Sequence, residues 1–293
     1  MSTASRADSL QVERFFDART WTLTYLVYDP TSKDAVIIDP VHDYDPLRVK
    51  FFEESIAGYI ARIEALGLKL HWSLETHAHA DHISAGVILR ERLGARLAIG
   101  AAITGVQGFF AGVFGRRDIS TDGSQFDQLL QGGDVLEAGS LSVNVLATPG
   151  HTPACVTFQV GDAIFTGDAL FMPDYGTGRC DFPKGSAAAL YRSIRSLYTL
   201  PDETRVFVGH DYQPGGRPVA WETTIGASKR ENIQLRADTS EADYVRFRTE
   251  RDAKLAPPNL IFQSIQCNID AGRLPPAGPD GLRRLTLPVG LFP

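Results

Sequence analysis

Three histidines and an aspartate fall within the six residues His77-Ala78-His79-Ala80-Asp81-His82, in a chain that has only seven histidines. Imidazole nitrogens crowded so closely suit a metal ion, because neutral histidine is the commonest protein ligand for one. Single candidates recur further along. They are His151 in Thr148-Pro149-Gly150-His151-Thr152-Pro153, Asp168 in Phe165-Thr166-Gly167-Asp168, and His210 in Val206-Phe207-Val208-Gly209-His210-Asp211-Tyr212. Taken singly, a histidine after a glycine turn is usually a surface or hydrogen-bonded residue, and an aspartate after glycine a turn or cap residue. Beside the cluster they read as one metal site, since the plain reading needs a separate coincidence for each. His42 and His71 lack that context and are read as structural. Asp39 reads either as a residue that orients a metal-bound histidine from behind or as a turn residue.

Each candidate needs an element that holds it. Apolar and β-branched runs predict a hairpin over 23–39, a strand over 68–76, and short strands over 95–99, 134–136, 142–148, 156–160, 163–166 and 205–209. The metal-type residues then stand at strand ends, where a rigid element holds a ligand within the tolerance a metal requires. Apolar spacing predicts helices over 51–66, 83–93, 186–198, 226–237 and 241–255, with helical pieces joined by loops in 105–131. The Pro- and Gly-rich tail from Pro257 reads as a surface wrap. Hairpins interleaved with helices predict two packed sheets with helices outside. No linker composition interrupts residues 1–293, so one domain is expected.

Composition narrows the function classes. The formal charge is −6, with 43% hydrophobic and 22% charged residues. That offers no basic field for nucleic acid and no polybasic membrane patch. No run of eighteen apolar residues predicts a membrane helix. The polar start, 1–13, has no apolar core of a secretion signal, and Cys155, Cys180 and Cys267 are spaced for neither a disulfide framework nor a zinc ribbon. The expected setting is therefore reduced and cytoplasmic.

Residues 76–82, Thr148-Pro149-Gly150-His151-Thr152, Thr166-Gly167-Asp168 and Gly209-His210-Asp211 occur in this order and together resemble the metallo-β-lactamase superfamily, over about residues 20–212. The resemblance implies an α/β fold, a four-layer αββα sandwich of two mixed sheets with helices outside and the metal site at one sheet edge. The chain would then be a single domain of this fold with a C-terminal extension from about 213. Within the superfamily the sequence looks most like the bacterial persulfide dioxygenases. The shared motifs are 76–83, His151-Thr152-Pro153-Ala154-Cys155-Val156-Thr157-Phe158, Phe165-Thr166-Gly167-Asp168-Ala169-Leu170, Gly178-Arg179-Cys180-Asp181-Phe182 and Gly209-His210-Asp211-Tyr212. That branch includes proteins described only as β-lactamase-like hydrolases.

This second resemblance implies one Fe(II) per chain, held by His77, His151 and Asp168 as a two-histidine, one-carboxylate set that leaves positions open for substrate and O2. It implies oxidation of glutathione persulfide by O2 to sulfite and glutathione, and a homodimer by family analogy. Tyr212 matches a tyrosine near the iron and is the expected catalytic hydrogen-bond donor. Arg179 fits a grip on glutathione's carboxylates, or else a structural pair with Asp181, and Tyr175 and Arg217 are further candidates for that pocket. His79, Asp81, His82 and His210 match the second-metal ligands of the dinuclear hydrolases, and the dioxygenases keep them behind a single iron. Two alternatives therefore stand beside the first reading. One is a dinuclear zinc hydrolase of the glyoxalase II type that cleaves a glutathione thioester, and the other is a non-catalytic metal- or persulfide-sensing module. Cys180 lies in the pocket motif as either an oxidisable or a packed thiol.

Overall fold

The structure, a computed structural model, describes residues 10–291. The first nine residues of the polar start discussed above and the last two of the tail lie outside the described residues. The expected hairpin forms from β2 (Thr22–Tyr28) and β3 (Asp34–Ile38). Before it, β1 (Gln11–Asp17) pairs antiparallel with β2, a strand concealed by its charged and polar residues. The chain then makes β4 (Val41–His42), β5 (Tyr44–Asp45), β6 (Lys50–Phe51) and helix α1 (Glu54–Leu66). The helix starts at Glu54 rather than at 51 because Phe51 pairs with Tyr44 in the β5–β6 ribbon.

Strand β7 (Lys69–Glu75) delivers the histidine-rich turn, and β8 (Ile83–Ser84), α2 (Gly86–Leu93), β9 (Arg96–Gly100), α3 (Ile103–Phe114) and β10 (Gln128–Leu130) follow. Ile83 and Ser84 were expected to open a helix; they pair instead with His42 and Val41, and α2 begins at Gly86. The first sheet runs β1-β2-β3-β7-β9-β10. The second contains β11 (Val135–Ala138), β12 (Leu141–Ala147), β13 (Val156–Val160), β14 (Ala163–Phe165), β15 (Arg205–Phe207) and β16 (Glu222–Thr224), side by side in chain order. Only β14 and β15 are parallel in that sheet, because α4 (Ala187–Leu197) carries the chain back between them.

The packing is the expected four-layer αββα arrangement. Strand β2 is buried along its whole length. Tyr25 and Val27 enter the core shared with Val145 and Phe158 of the second sheet, while Leu26 and Tyr28 pack with Tyr59 and Ile63 of α1 and Leu89 of α2. Helix α4 contributes Leu190, Ile194 and Leu197 to the shared core. Burying a strand on both sides explains why β2 and β3 read as continuous apolar runs rather than as alternation.

Beyond the second sheet the sequence reading departs from the structure. Helix α5 (Ile225–Glu231) ends well before 237, because the Asn232 side chain accepts from Gln234 N and Leu235 N, at 2.9 Å each, and pulls the backbone out of the helix. Helix α6 (Glu241–Asp252) follows. The tail then corrects the expectation of a surface wrap: α7 (Ile261–Asn268) buries Ile261 and Ile265 against Ile103, Val106 and Phe110 of α3. Among the described residues no helix is long and apolar enough to cross a membrane.

Candidate metal centre

Both sheets end at the same place. The turn after β7 carries His77–His82, and the ends of β12, β14 and β15 lead into His151, Asp168 and His210. Main-chain bonds weld these ends together: Val156 N donates to Thr76 O (2.9 Å), Leu23 N to Gly209 O (2.8 Å), and Gly209 N to Gly167 O (3.1 Å). Glycine is required at both positions, at Gly209 by this contact and at Gly167 by its left-handed backbone and the Thr76 side chain. A Cβ on Gly209 would lie 2.8 Å from the Gly167 carbonyl carbon, and one on Gly167 would lie 2.3 Å from Thr76 Oγ1.

The sequence-predicted ligands converge. Donor atoms of His77, His151 and Asp168 all lie within 4.8 Å of one another, and the same holds for His79, Asp81 and His82. His210 Nε2 sits between the two sets, 3.2 Å from Asp81 Oδ2 and 3.3 Å from Asp168 Oδ1. The remaining nitrogens are tied down from behind. His151 Nδ1 donates to the Arg179 carbonyl (2.7 Å), His210 Nδ1 to the Trp21 carbonyl (3.2 Å), and His77 Nδ1 meets Thr76 Oγ1 at 3.0 Å. His79 Nε2 faces Asp39 Oδ1 at 3.0 Å and Glu75 Oε2 at 3.3 Å. Asp39 therefore stands behind His79, and it also accepts from Thr76 N (2.7 Å) and Thr76 Oγ1 (2.8 Å).

What these tethers leave free fits a metal. His77 Nε2, His79 Nδ1, His82 Nε2 and Asp168 Oδ1 are buried without a hydrogen-bond partner, a condition native proteins avoid unless the group has another use. Burial, with His79 and His151 close by, depresses the basicity of His77 well below the usual histidine range, so its lone pair is available. Burial and the neighbouring His79 likewise lower His82. Burial opposes charge on His79 too, but Asp39 and Glu75 outweigh it and hold its pKa well above normal. Asp81, although burial works against its charge, is kept well below the carboxylate range by His210 and His82. Either one metal or two can be accommodated by this donor set.

A cavity of about 1000 Å³ opens over His151 and Asp168, walled by Trp21, Tyr175, Arg179 and Tyr212. Tyr212 stacks between His210 (5.5 Å, 18°) and Tyr175 (4.7 Å, 29°). Burial, followed by the nearby Asp168 and Asp81, pushes its hydroxyl well above the usual tyrosine value, so it stays protonated and able to donate. Arg179 lines the cavity, yet its Nε and Nη2 each bond Asp181 at 2.6 Å and its Nη1 bonds the Ala256 carbonyl at 2.8 Å. Arg217 does not line the cavity. It clamps Asp174 (2.6 and 2.9 Å) and the buried Asp211 (2.7 and 2.8 Å), so the expected substrate contact gives way to a brace on the segment after His210. Lys50 and Arg251, which the sequence did not single out, line the cavity and form no ion pair among the described residues. Cys180 is the packed alternative: burial raises its thiol far above the reactive range. Glu75 was also missed; its only sequence signal is its place immediately before Thr76.

Residues 22–210 match the family described as the Metallo-beta-lactamase superfamily. The chain is 46% identical to a probable metallo-hydrolase of Burkholderia pseudomallei over 96% of its own length and 99% of that protein's. It is 37% identical to a glyoxylase B2 of Dictyostelium discoideum, covering 97% and 98% of the two chains. To the human mitochondrial persulfide dioxygenase ETHE1 it is 34% identical over 69% and 68% of the two chains. The crystal structure of ETHE1 from Myxococcus xanthus superposes with a TM-score of 0.72 at 34% identity, covering 90% of this chain and all of that one. The chain spans only 64–65% of the length of several other curated relatives, which it matches at 44–46% identity. With its sandwich of sheets, its edge-mounted histidines and these matches, the chain belongs to the metallo-β-lactamase superfamily.

Proposed function

We propose that the protein is an iron-dependent persulfide dioxygenase that converts glutathione persulfide, O2 and water into glutathione and sulfite. The observation that carries this reading is the compact His77–His151–Asp168 set of two histidines and one carboxylate. The likeness to persulfide dioxygenases at 34% identity supports it. His77, His151 and Asp168 would hold an Fe(II) ion, which when bound would supply the redox chemistry that joins the outer sulfur to O2. The protein's own residues do the rest. Tyr212, held protonated, presents a hydroxyl donor beside Asp168. Trp21 and the Tyr175–Tyr212 stack form a wall that limits water at the reacting sulfur. Lys50 and Arg251 offer unpaired positive charge to the carboxylates of an anionic thiol carrier.

A second reading rests on its own observation. The converged His79, Asp81 and His82 donors, with His210 and Asp168 alongside, match a second metal position. That would suit a dinuclear zinc hydrolase acting on a glutathione thioester, and the metallo-hydrolase and glyoxylase relatives lean the same way. Metal analysis of protein produced without added metal, combined with O2 uptake, separates the two. One iron per chain, with O2 consumed only when glutathione persulfide is present, is the expected result. Two zinc ions and thioester hydrolysis would replace the proposal with the second reading, and binding of persulfide without turnover would point to a sensor.

A further inference from the structure

His151 is the single histidine that the second sheet contributes to the His77–His151–Asp168 set, and its orientation depends on one peptide group. Its Nδ1 donates to the carbonyl of Arg179 at 2.7 Å. The amide on the other side of that same planar unit, Cys180 N–H, donates to Asp252 Oδ2 at 2.8 Å. Asp252 lies on the last turn of α6, beyond the residues that match the family. Its other oxygen, Oδ1, is held by Arg248 one turn earlier, through Nε at 2.9 Å and Nη2 at 2.5 Å. Arg248 is 1% exposed and spends a further donor on Gln234 Oε1 (2.9 Å) and the Thr177 carbonyl (3.3 Å). Cys180, Arg248 and Asp252 are all buried.

We infer that Asp252 is a positioning residue for the metal centre, acting on His151 through the Arg179–Cys180 peptide. Metal-bound histidines elsewhere commonly donate their second nitrogen to a carboxylate, which fixes the tautomer and raises the basicity of the ligating nitrogen. Here the carboxylate stands one amide away. A negative charge accepting from the N–H polarises the conjugated peptide and makes its carbonyl a stronger acceptor. The stronger acceptor holds the proton on His151 Nδ1 and leaves Nε2, 3.6 Å from Asp168 Oδ2, with its lone pair free to bind a metal. The Arg248–Asp252 pair, four residues apart on one helix face, fixes the carboxylate in place. The inference rests on His151 being a metal ligand and not on which reaction the centre performs.

The test measures metal affinity directly, by competition of Co(II) or Fe(II) against a chelator, with metal-free thermal unfolding as a separate readout. Asp252→Asn keeps the size and an acceptor but removes the charge; about 10-fold weaker metal binding is expected. Because that variant leaves Arg248 buried without its partner, the double variant Arg248→Met with Asp252→Asn is measured alongside. Persistence of the loss in the double variant supports the relay. Wild-type affinity in Asp252→Asn, or recovery of affinity in the double variant, overturns it, the latter because the unpaired arginine would then be the cause. If His151→Ala binds metal as wild type does, the assignment of His151 has failed instead, and the two failures are told apart.

Discussion

The two sheets supply the metal centre in opposite ways. The first crowds His77, His79, Asp81 and His82 into one turn, and that turn is pinned from below by Asp39 and from the side by Asn268, whose Nδ2 bonds the carbonyls of His79 and His82 at 2.8 Å each. The second sheet offers single residues, His151, Asp168 and His210, each on its own strand end with its own support. Crowding makes the first half redundant in donors and dependent on one scaffold. Dispersion gives the second half one donor per strand end, so each loss empties that strand end of its ligand.

The largest effect should follow from removing a lone donor. His151→Ala is expected to lose both iron and activity, as read by metal analysis and O2 uptake, and full retention of iron would refute the dispersed half as drawn. Gly150→Ala should come next. Gly150 has a φ of 148°, and a Cβ there would lie 2.4 Å from the Leu190 backbone, so the turn carrying His151 must shift. A loss of roughly 1–3 kcal/mol in denaturant unfolding, with weaker metal binding, is expected. Substitution within the crowded turn should do less: His82→Ala is expected to keep one iron per chain, whereas a fall from two metals to one would show that the turn serves a second ion.

The smallest effect concerns a seam remote from the metal. Asp34, at the start of β3, accepts from His71 Nε2 (2.7 Å) and from Ser140 N (2.8 Å) on the turn between β11 and β12. The His71 hydrogen bond, opposed by burial and helped by the Ser140 amide, lowers its carboxyl to about 2. A carboxyl depressed in the folded state stabilises above its unfolded pKa of about 3.9, and that contribution is lost as pH falls towards about 2. Urea unfolding from about pH 5 to about pH 2 should therefore lose part of its slope in Asp34→Asn, and an unchanged slope would mean that the seam carries no such linkage.

How legible the molecule was in its sequence follows the same division. Strand 156–160 and the ligand-bearing strand ends were readable because apolar runs stop abruptly at polar tips. The metal residues were readable because histidine density has few other uses. What the sequence hid is the support behind them. Asp252 and Arg248 sit on a charged helix whose pattern reads as a solvated face, yet both are buried. Asn268 closes a short helix that Pro257, Pro258 and the glycines beyond disguise as loop. Arg217 shows the converse error: a guanidinium near a site is visible in sequence, but the carboxylates that already occupy it, Asp174 and Asp211, are identified only by the fold, whereas the Arg179–Asp181 pair was one of the two roles expected for Arg179.

The Gly167–Gly209 contact has one further consequence. Bare backbone touches bare backbone there, so the spacing of the strand ends that carry Asp168 and His210 is set by main-chain packing. A side chain can swing to suit a larger or smaller ion; a peptide stack cannot. The fit of one ion over another at this edge is then largely a property of the main chain, and it should change more with a single added methyl group at this seam than with many substitutions in the cavity wall.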